Sequence, residues 1–155
     1  MRAAVVALGK IGLPLAVQIA NTANEVTGCD IDERVVELVR AGKVPFPNEP
    51  GIEESLPIPA TTDTATAVVG ADLVVIVPPL VVDADGKPDW RAFDGAVADV
   101  ARGVQPGTTV VIETTVPVGT TRNRVAPQMP AGVHVAFSPE RVSSGRVLRD
   151  LATYP

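Results

Sequence analysis

The sequence predicts an α/β fold, a doubly wound parallel sheet with helices on both faces. Valine-rich apolar runs recur along the chain, helix-like segments alternate with them from one end to the other, and a glycine-bearing turn follows the first run directly. Strands covered on both faces are apolar at nearly every position, and these runs read that way. Strands are expected over residues 3–7, 25–29, 73–77, 108–113 and 133–137, with a weaker one over 58–61.

The helices follow from spacing and end signals. Residues 10–21 carry Ile11, Leu15 and Ile19 with Leu13, Ala16 and Ala20, an apolar face suited to packing on a sheet. Pro14 falls in the first turn, where its missing N–H costs little. Residues 32–41 begin acidic, hold Val35, Val36, Leu38 and Val39, and end on Arg40 before Gly42, so dipole and cap signals agree. Residues 89–104 place Phe93, Val97, Val100 and Ala101 along one face and stop at Gly103 and Pro106. A further helix is expected over 118–128, and Thr62-Asp63 is placed to cap one after the weak strand. The proline-rich stretch 43–59 and residues 78–88 read as loops, as does the end of the chain from 151 to 155.

Composition narrows the function. A chain of 155 residues with 46% apolar and 20% charged residues describes one globular domain. The longest apolar run, 73–82, contains two prolines and falls short of the roughly 18 residues that span a bilayer. The N-terminus lacks the small-residue cleavage site of a signal peptide, which makes a cytoplasmic chain the expectation. One cysteine excludes an intrachain disulfide, and one histidine excludes a multi-histidine metal site. A net charge of −5 with five aromatic residues argues against nucleic acid as a partner.

The chemistry concentrates at strand ends, where open α/β sheets bind ligands. Ala7-Leu8-Gly9-Lys10-Ile11-Gly12 is a dinucleotide-binding fingerprint with alanine at its first glycine position, set between a strand and a helix. Gly9 lets the backbone approach a diphosphate, Gly12 lets the helix lie close to the strand, and the helix N-terminus offers free N–H groups to the anion. Ala7 fits such a turn if its φ stays negative. Asp30, eighteen residues after Gly12 and just past the second strand, stands where a carboxylate binds a ribose hydroxyl pair and repels a 2′-phosphate, favouring NAD over NADP. Asp32 is better placed to cap the next helix. The glycines alone also suit an ordinary tight turn.

Two later segments carry alternatives of their own. The threonines of Glu113-Thr114-Thr115-Val116-Pro117-Val118-Gly119-Thr120-Thr121 read equally as caps of a helix with proline in its first turn. Ser138-Pro139-Glu140-Arg141 reads either as site residues after the last strand or as a solvated surface pair.

Taken in order, Gly9-Lys10-Ile11-Gly12-Leu13-Pro14-Leu15-Ala16, Gly28-Cys29-Asp30-Ile31-Asp32, Asn48-Glu49-Pro50-Gly51, Asp85-Gly86-Lys87-Pro88-Asp89, the Thr114 to Thr121 segment and Ser138-Pro139-Glu140-Arg141 span nearly the whole chain. The sequence closely resembles the N-terminal, Rossmann-type NAD-binding domain of the UDP-glucose/GDP-mannose dehydrogenase family, most of all its UDP-N-acetylmannosamine and UDP-N-acetylglucosamine 6-dehydrogenase branch. The resemblance implies twofold oxidation of a sugar 6-hydroxyl to a carboxylate, with two NAD reduced, through a cysteine-bound thiohemiacetal and thioester. Carried over by position, Gly9, Lys10, Ile11, Gly12, Asp30, Arg34, Pro78 and Thr114 bind NAD. Thr115 positions water or a substrate oxygen, Glu140 acts as acid or base, and Arg141 touches the sugar nucleotide.

The chain departs from the family pattern at Ala7, at Val77-Pro78-Pro79-Leu80, where members commonly carry Val-Pro-Thr-Pro or Val-Asn-Thr-Pro, and at Ser144, where some carry a second glutamate. The family's nucleophilic cysteine belongs to a C-terminal catalytic and substrate domain outside residues 1–155, and Cys29 reads as a small buried apolar residue closing a core strand. Binding of NAD without turnover is therefore expected of this chain alone, with a UDP-sugar as the full-length enzyme's substrate and a homodimer as its assembly. The competing readings are a non-enzymatic Rossmann binding or regulatory module and another NAD-dependent dehydrogenase domain, of the 3-hydroxyacid or 6-phosphogluconate type.

Overall fold

The computed structural model describes the chain except residues 23, 48, 49, 144, 154 and 155, and of residue 54 the main chain alone. Asn48 and Glu49 of the third motif, Ser144, and the last two residues of the expected terminal loop thus lie outside the described residues.

Six strands, β1 (Arg2–Val6), β2 (Glu25–Cys29), β3 (Ala60–Thr61), β4 (Leu73–Ile76), β5 (Thr109–Ile112) and β6 (His134–Phe137), form one sheet in the order β3-β2-β1-β4-β5-β6. Every pairing is parallel. The register carries Val5 beside both Gly28 and Val75, with Val75 in turn beside Val111 and Val111 beside Ala136. All six expected strands are present.

Alternation along β1 divides the core in two, because successive side chains of a strand point to opposite faces. Ala3 and Val5 pack with Leu13, Ala16 and Val17 of α1 (Gly12–Asn21) and with Val36 and Val39 of α2 (Glu33–Arg40). Ala4 and Val6 face the other way, toward Val68 after α3 (Thr64–Ala67) and toward Phe93, Val97 and Val100 of α4 (Arg91–Gly103). Both faces of the sheet's centre are therefore helix-covered, as the apolar character of β1, β4 and β5 requires; β6, expected to be covered on both faces as well, is instead an edge strand with His134, Ala136 and Phe137 exposed. Phe93 is wholly buried, which alone contributes about 2–3 kcal/mol of transfer free energy.

Caps set the ends. Asp32 accepts the Arg34 N–H at 2.9 Å and starts α2, and Asp63 accepts the Thr66 N–H at 3.0 Å and starts α3, as expected of both residues. At α1 no side chain caps the first turn; Leu13 N–H is bonded to Gly9 O at 3.1 Å and Pro14 carries no N–H, so what the helix start offers a ligand is the main chain at Gly12 and the turn before it.

Four segments differ from expectation. Residues 118–128 do not form an α-helix: Gly119 stands at φ +90°, Thr121–Val125 makes one π-helical turn, and Ala126–Gln128 closes as a 3-10 turn containing Pro127. Proline removes an N–H that an α-helical ladder would need. This segment is fastened instead by Arg124, which donates to both Asp94 oxygens at 2.6 and 2.5 Å and lies 4.0 Å from the Trp90 ring centre. Residues 78–88 contain a small antiparallel hairpin, Val81–Val82 against Pro88–Asp89, closed by Asp83 Oδ1 accepting the N–H groups of Asp85 and Lys87 at 2.9 and 2.8 Å. The expected loop 43–59 holds a 3-10 turn, Glu53–Ser55. Residues 151–153, expected in a terminal loop, are helical: α5 (Val147–Thr153) buries Val147 and Asp150, and Asp150 accepts the Ser143 N–H at 3.0 Å.

Candidate functional site

A cavity of about 590 Å³ opens at the C-terminal ends of the strands, between β1 and β4, where the strand order reverses. Open α/β sheets bind ligands at that switch point. Its floor is the β1–α1 turn with Gly9, Lys10, Ile11 and Gly12. One wall is Asp30 and Ile31 after β2, and another is Ala92, Ala96 and Asp99 of α4. The far side is made by Pro78, Pro79 and Leu80 after β4, Glu113, Thr114 and Thr115 after β5, and Glu140 after β6.

The turn is built around three positions. A β-carbon on Gly9 would meet nothing within 4 Å, so the main chain at Gly9 faces open space. A β-carbon on Gly12 would stand 1.9 Å from the Ala7 carbonyl oxygen, so only glycine lets α1 lie this close to the end of β1. Ala7 corrects an expectation: its φ is +79°, the one positive value among the described non-glycine residues. The reason is topological, since Ala7 donates its N–H to Cys29 O at 2.8 Å and the chain must turn at once into α1. The left-handed conformation of the missing glycine is kept and the methyl bears its strain.

Asp30 is held rigidly. Its Oδ2 accepts the Leu8 N–H at 2.7 Å and its Oδ1 accepts the Asp32 N–H at 3.0 Å. The carboxylate is thereby fixed against the turn, and the residue lines the cavity with acceptor capacity to spare. Beside it Ile31 is 84% exposed, an apolar surface set at the cavity mouth. Cys29 is fully buried, and burial, with Asp30 and Asp63 acting in the same direction, pushes its thiol up to about 12 against a hydrogen bond with Thr64. A thiol held protonated in a core is no nucleophile.

At the other end, the buried Thr114 hydroxyl donates to Pro78 O at 2.7 Å, tying the segments after β4 and β5 together. Thr115 is exposed and lines the cavity. The Glu140 carboxylate accepts the Val142 N–H. Glu113, which sequence reasoning treated only as the first residue of a threonine motif, lines the same end half-buried, and burial together with neighbouring Glu140 pushes its carboxyl up to about 6. Its sequence signal was an acidic residue directly after an apolar strand.

Of the residues singled out from sequence, the cavity gathers Gly9, Lys10, Ile11, Gly12, Asp30, Pro78, Thr114, Thr115 and Glu140. Arg34 and Arg141 are exposed and outside its lining. Among the described residues no group of three or more His, Cys, Asp or Glu is assembled for a metal ion, and no helix is long and apolar enough to cross a membrane.

The profile of the UDP-glucose/GDP-mannose dehydrogenase family, NAD binding domain, matches residues 1–155. UDP-N-acetyl-D-mannosamine dehydrogenase of Pyrococcus horikoshii is 32% identical over an alignment covering 97% of this chain and 39% of that protein. Among solved structures, a ternary complex of GDP-mannose dehydrogenase from Pseudomonas aeruginosa superposes with a TM-score of 0.90 at 25% identity, over 97% of this chain and 38% of that one. UDP-D-ManNAc dehydrogenase from Pyrococcus horikoshii gives 0.87 at 30% identity, over 97% and 39%. The chain spans 39% of the length of the curated relative from Pyrococcus horikoshii. By sequence and by fold, the chain belongs to the UDP-glucose/GDP-mannose dehydrogenase family as its NAD-binding domain.

Proposed function

We propose that the chain serves as the cofactor-binding domain of a nucleotide-sugar 6-dehydrogenase, which oxidises the 6-hydroxyl of a UDP-sugar to a carboxylate while two NAD are reduced. The observation that carries this reading is the open main chain at Gly9, beside the uncapped start of α1 and the fixed Asp30 carboxylate. A diphosphate needs N–H groups at close approach without a β-carbon in the way, and a ribose diol needs a fixed acceptor. The cavity meets both needs in one place, so its residues fit NAD.

In this reading Gly9, Lys10, Ile11 and Gly12 hold the diphosphate and Asp30 the adenosine ribose, whose carboxylate repels a 2′-phosphate and so prefers NAD to NADP. Ile31 offers the adenine an apolar surface, and Arg34 flanks that end from outside the cavity lining. Thr114 and Pro78 set the far wall as a joined unit. Bound NAD supplies the hydride acceptor. Thr115 orients a water or substrate oxygen, Glu140 holds or releases its proton, and Arg141 meets the sugar nucleotide. The reactive thiol comes from a C-terminal domain outside these residues, since Cys29 is buried and protonated. The full-length enzyme is then a cytoplasmic homodimer that supplies sugar acids for polysaccharide synthesis, with no membrane or nucleic-acid partner.

Calorimetric titration of the chain with NAD, together with an assay for NADH formation from UDP-sugars, tests this. Binding of NAD without NADH formation is the expected result. A folded chain with no NAD affinity would sink the reading, and turnover by the chain alone would overturn the assignment of the thiol elsewhere.

A further inference from the structure

The sheet topology fixes which way a dinucleotide crosses the cavity. Asp30 lies on the β2 side of the β1–α1 turn, and Glu113 and Glu140 lie beyond β4, on the β5 and β6 side. With the diphosphate on the turn and the adenosine ribose on Asp30, the nicotinamide half extends toward the two glutamates. That ring is a pyridinium cation when oxidised and neutral when reduced.

The charges around this end are few. Among the described residues, those lining the cavity are Lys10 from the β1–α1 turn, Asp30 after β2, Asp99 on α4, Glu113 after β5 and Glu140 after β6. The β4 side offers Val77, Pro78, Pro79 and Leu80, none of which titrates. Lys10 belongs to the turn that meets the diphosphate. Among the described residues, the lining on the β5 and β6 side carries two carboxylates and no lysine or arginine.

Resting on the NAD-binding reading above, we propose that Glu113, together with Glu140, makes the cavity select the oxidised dinucleotide over the reduced one. An ionised carboxylate in a half-buried site attracts the pyridinium and does nothing comparable for the neutral dihydropyridine. The same arrangement would favour release of the reduced form after each turnover. Because the Glu113 carboxyl is pushed up to about 6 by burial and by Glu140, the preference strengthens as pH rises through that value and Glu113 ionises. By linkage, the oxidised form binds with proton release near pH 6 and the reduced form binds with less.

The test is the ratio of dissociation constants, reduced over oxidised, measured on this chain at pH 5 and pH 7.5. NADH fluorescence and NAD calorimetry supply the two constants, for the parent chain and for Glu113→Gln. In the parent the ratio should rise by about fivefold across that interval, as expected of one screened charge pair, and in Glu113→Gln it should stay flat. Proton release by the parent near pH 6, from calorimetry in buffers of different ionisation enthalpy, should be larger for NAD than for NADH, and this needs no variant to fold. A flat parent ratio, an equal proton release for the two forms, or a rise that persists in a folded Glu113→Gln overturns the proposal while leaving NAD binding intact. Failure of both forms to bind at either pH would instead remove the reading on which it rests.

Discussion

The Ala7 carbonyl oxygen lies 1.9 Å from where a β-carbon on Gly12 would stand. That oxygen cannot turn aside freely, because Ala7 N–H is bonded to Cys29 O at 2.8 Å and the residue is already at φ +79°. Gly12→Ala must therefore push α1 away from β1 and open the core formed by Leu13, Ala16 and Val17 against Ala3 and Val5. A loss of about 3 kcal/mol or more is expected, the scale of forced overpacking at a rigid site. Urea unfolding checks it, and a variant as stable as the parent would show that the helix can ride outward without cost.

The strain at Ala7 makes the opposite prediction for its own position. A left-handed alanine costs roughly 1–2 kcal/mol, and glycine gives back roughly 0.5–1 kcal/mol through the entropy of the unfolded chain. Ala7→Gly should thus stabilise the domain by about 0.5–1 kcal/mol and raise its melting temperature by about 2 °C. A lower melting temperature would mean that the methyl makes contacts worth more than the strain it bears.

What could be read in advance follows from what is local. The central strands β1, β4 and β5 were legible because a strand buried on both faces is apolar nearly throughout, and Asp32 and Asp63 were legible as caps because capping involves near neighbours in sequence. The φ of Ala7 was not, since it is imposed by the pairing with β2 and the immediate turn into α1 rather than by alanine's own preference. Nor was the form of residues 121–128, which depends on Arg124 meeting Asp94 on α4 and Trp90 just before it. Glu113 escaped notice for the same reason: its environment is made by burial at the end of β5 and by Glu140, which arrives only with β6. Motif position alone also does not decide whether a residue lines the cavity, as Arg34 and Arg141 show by standing outside its lining.

Asp30 joins two tasks in one side chain. It fixes the turn by accepting the Leu8 and Asp32 N–H groups at 2.7 and 3.0 Å, and under the proposed function it binds the ribose. Asp30→Asn keeps one acceptor and removes the charge. NAD affinity should fall about tenfold or more, the scale of a lost hydrogen bond to a charged group, while discrimination against NADP should narrow because the repulsion of a 2′-phosphate is gone. Calorimetry with both dinucleotides measures each effect. Unchanged NAD affinity in a folded variant would remove Asp30 from the ribose site.

Glu113 also shapes stability against pH, and the sign is opposite to that of a salt-bridged carboxylate. Its carboxyl is raised from an ordinary 4.5 to about 6 by burial and by Glu140, so the folded chain holds this proton more tightly than the unfolded chain does. The contribution is fully present below about pH 4.5 and is lost as pH rises through about 6. The full shift would amount to about 2 kcal/mol, and screening at a partly exposed site reduces it to about 1 kcal/mol. Glu113→Gln, which cannot ionise, should therefore be more stable than the parent by about 1 kcal/mol at pH 7.5 and should lose that advantage at pH 4.5. Urea unfolding of both proteins at the two pH values isolates the effect, because every other titrating group is common to them. An advantage of the same size at both values would trace the gain to packing or hydrogen bonding rather than to the charge on Glu113.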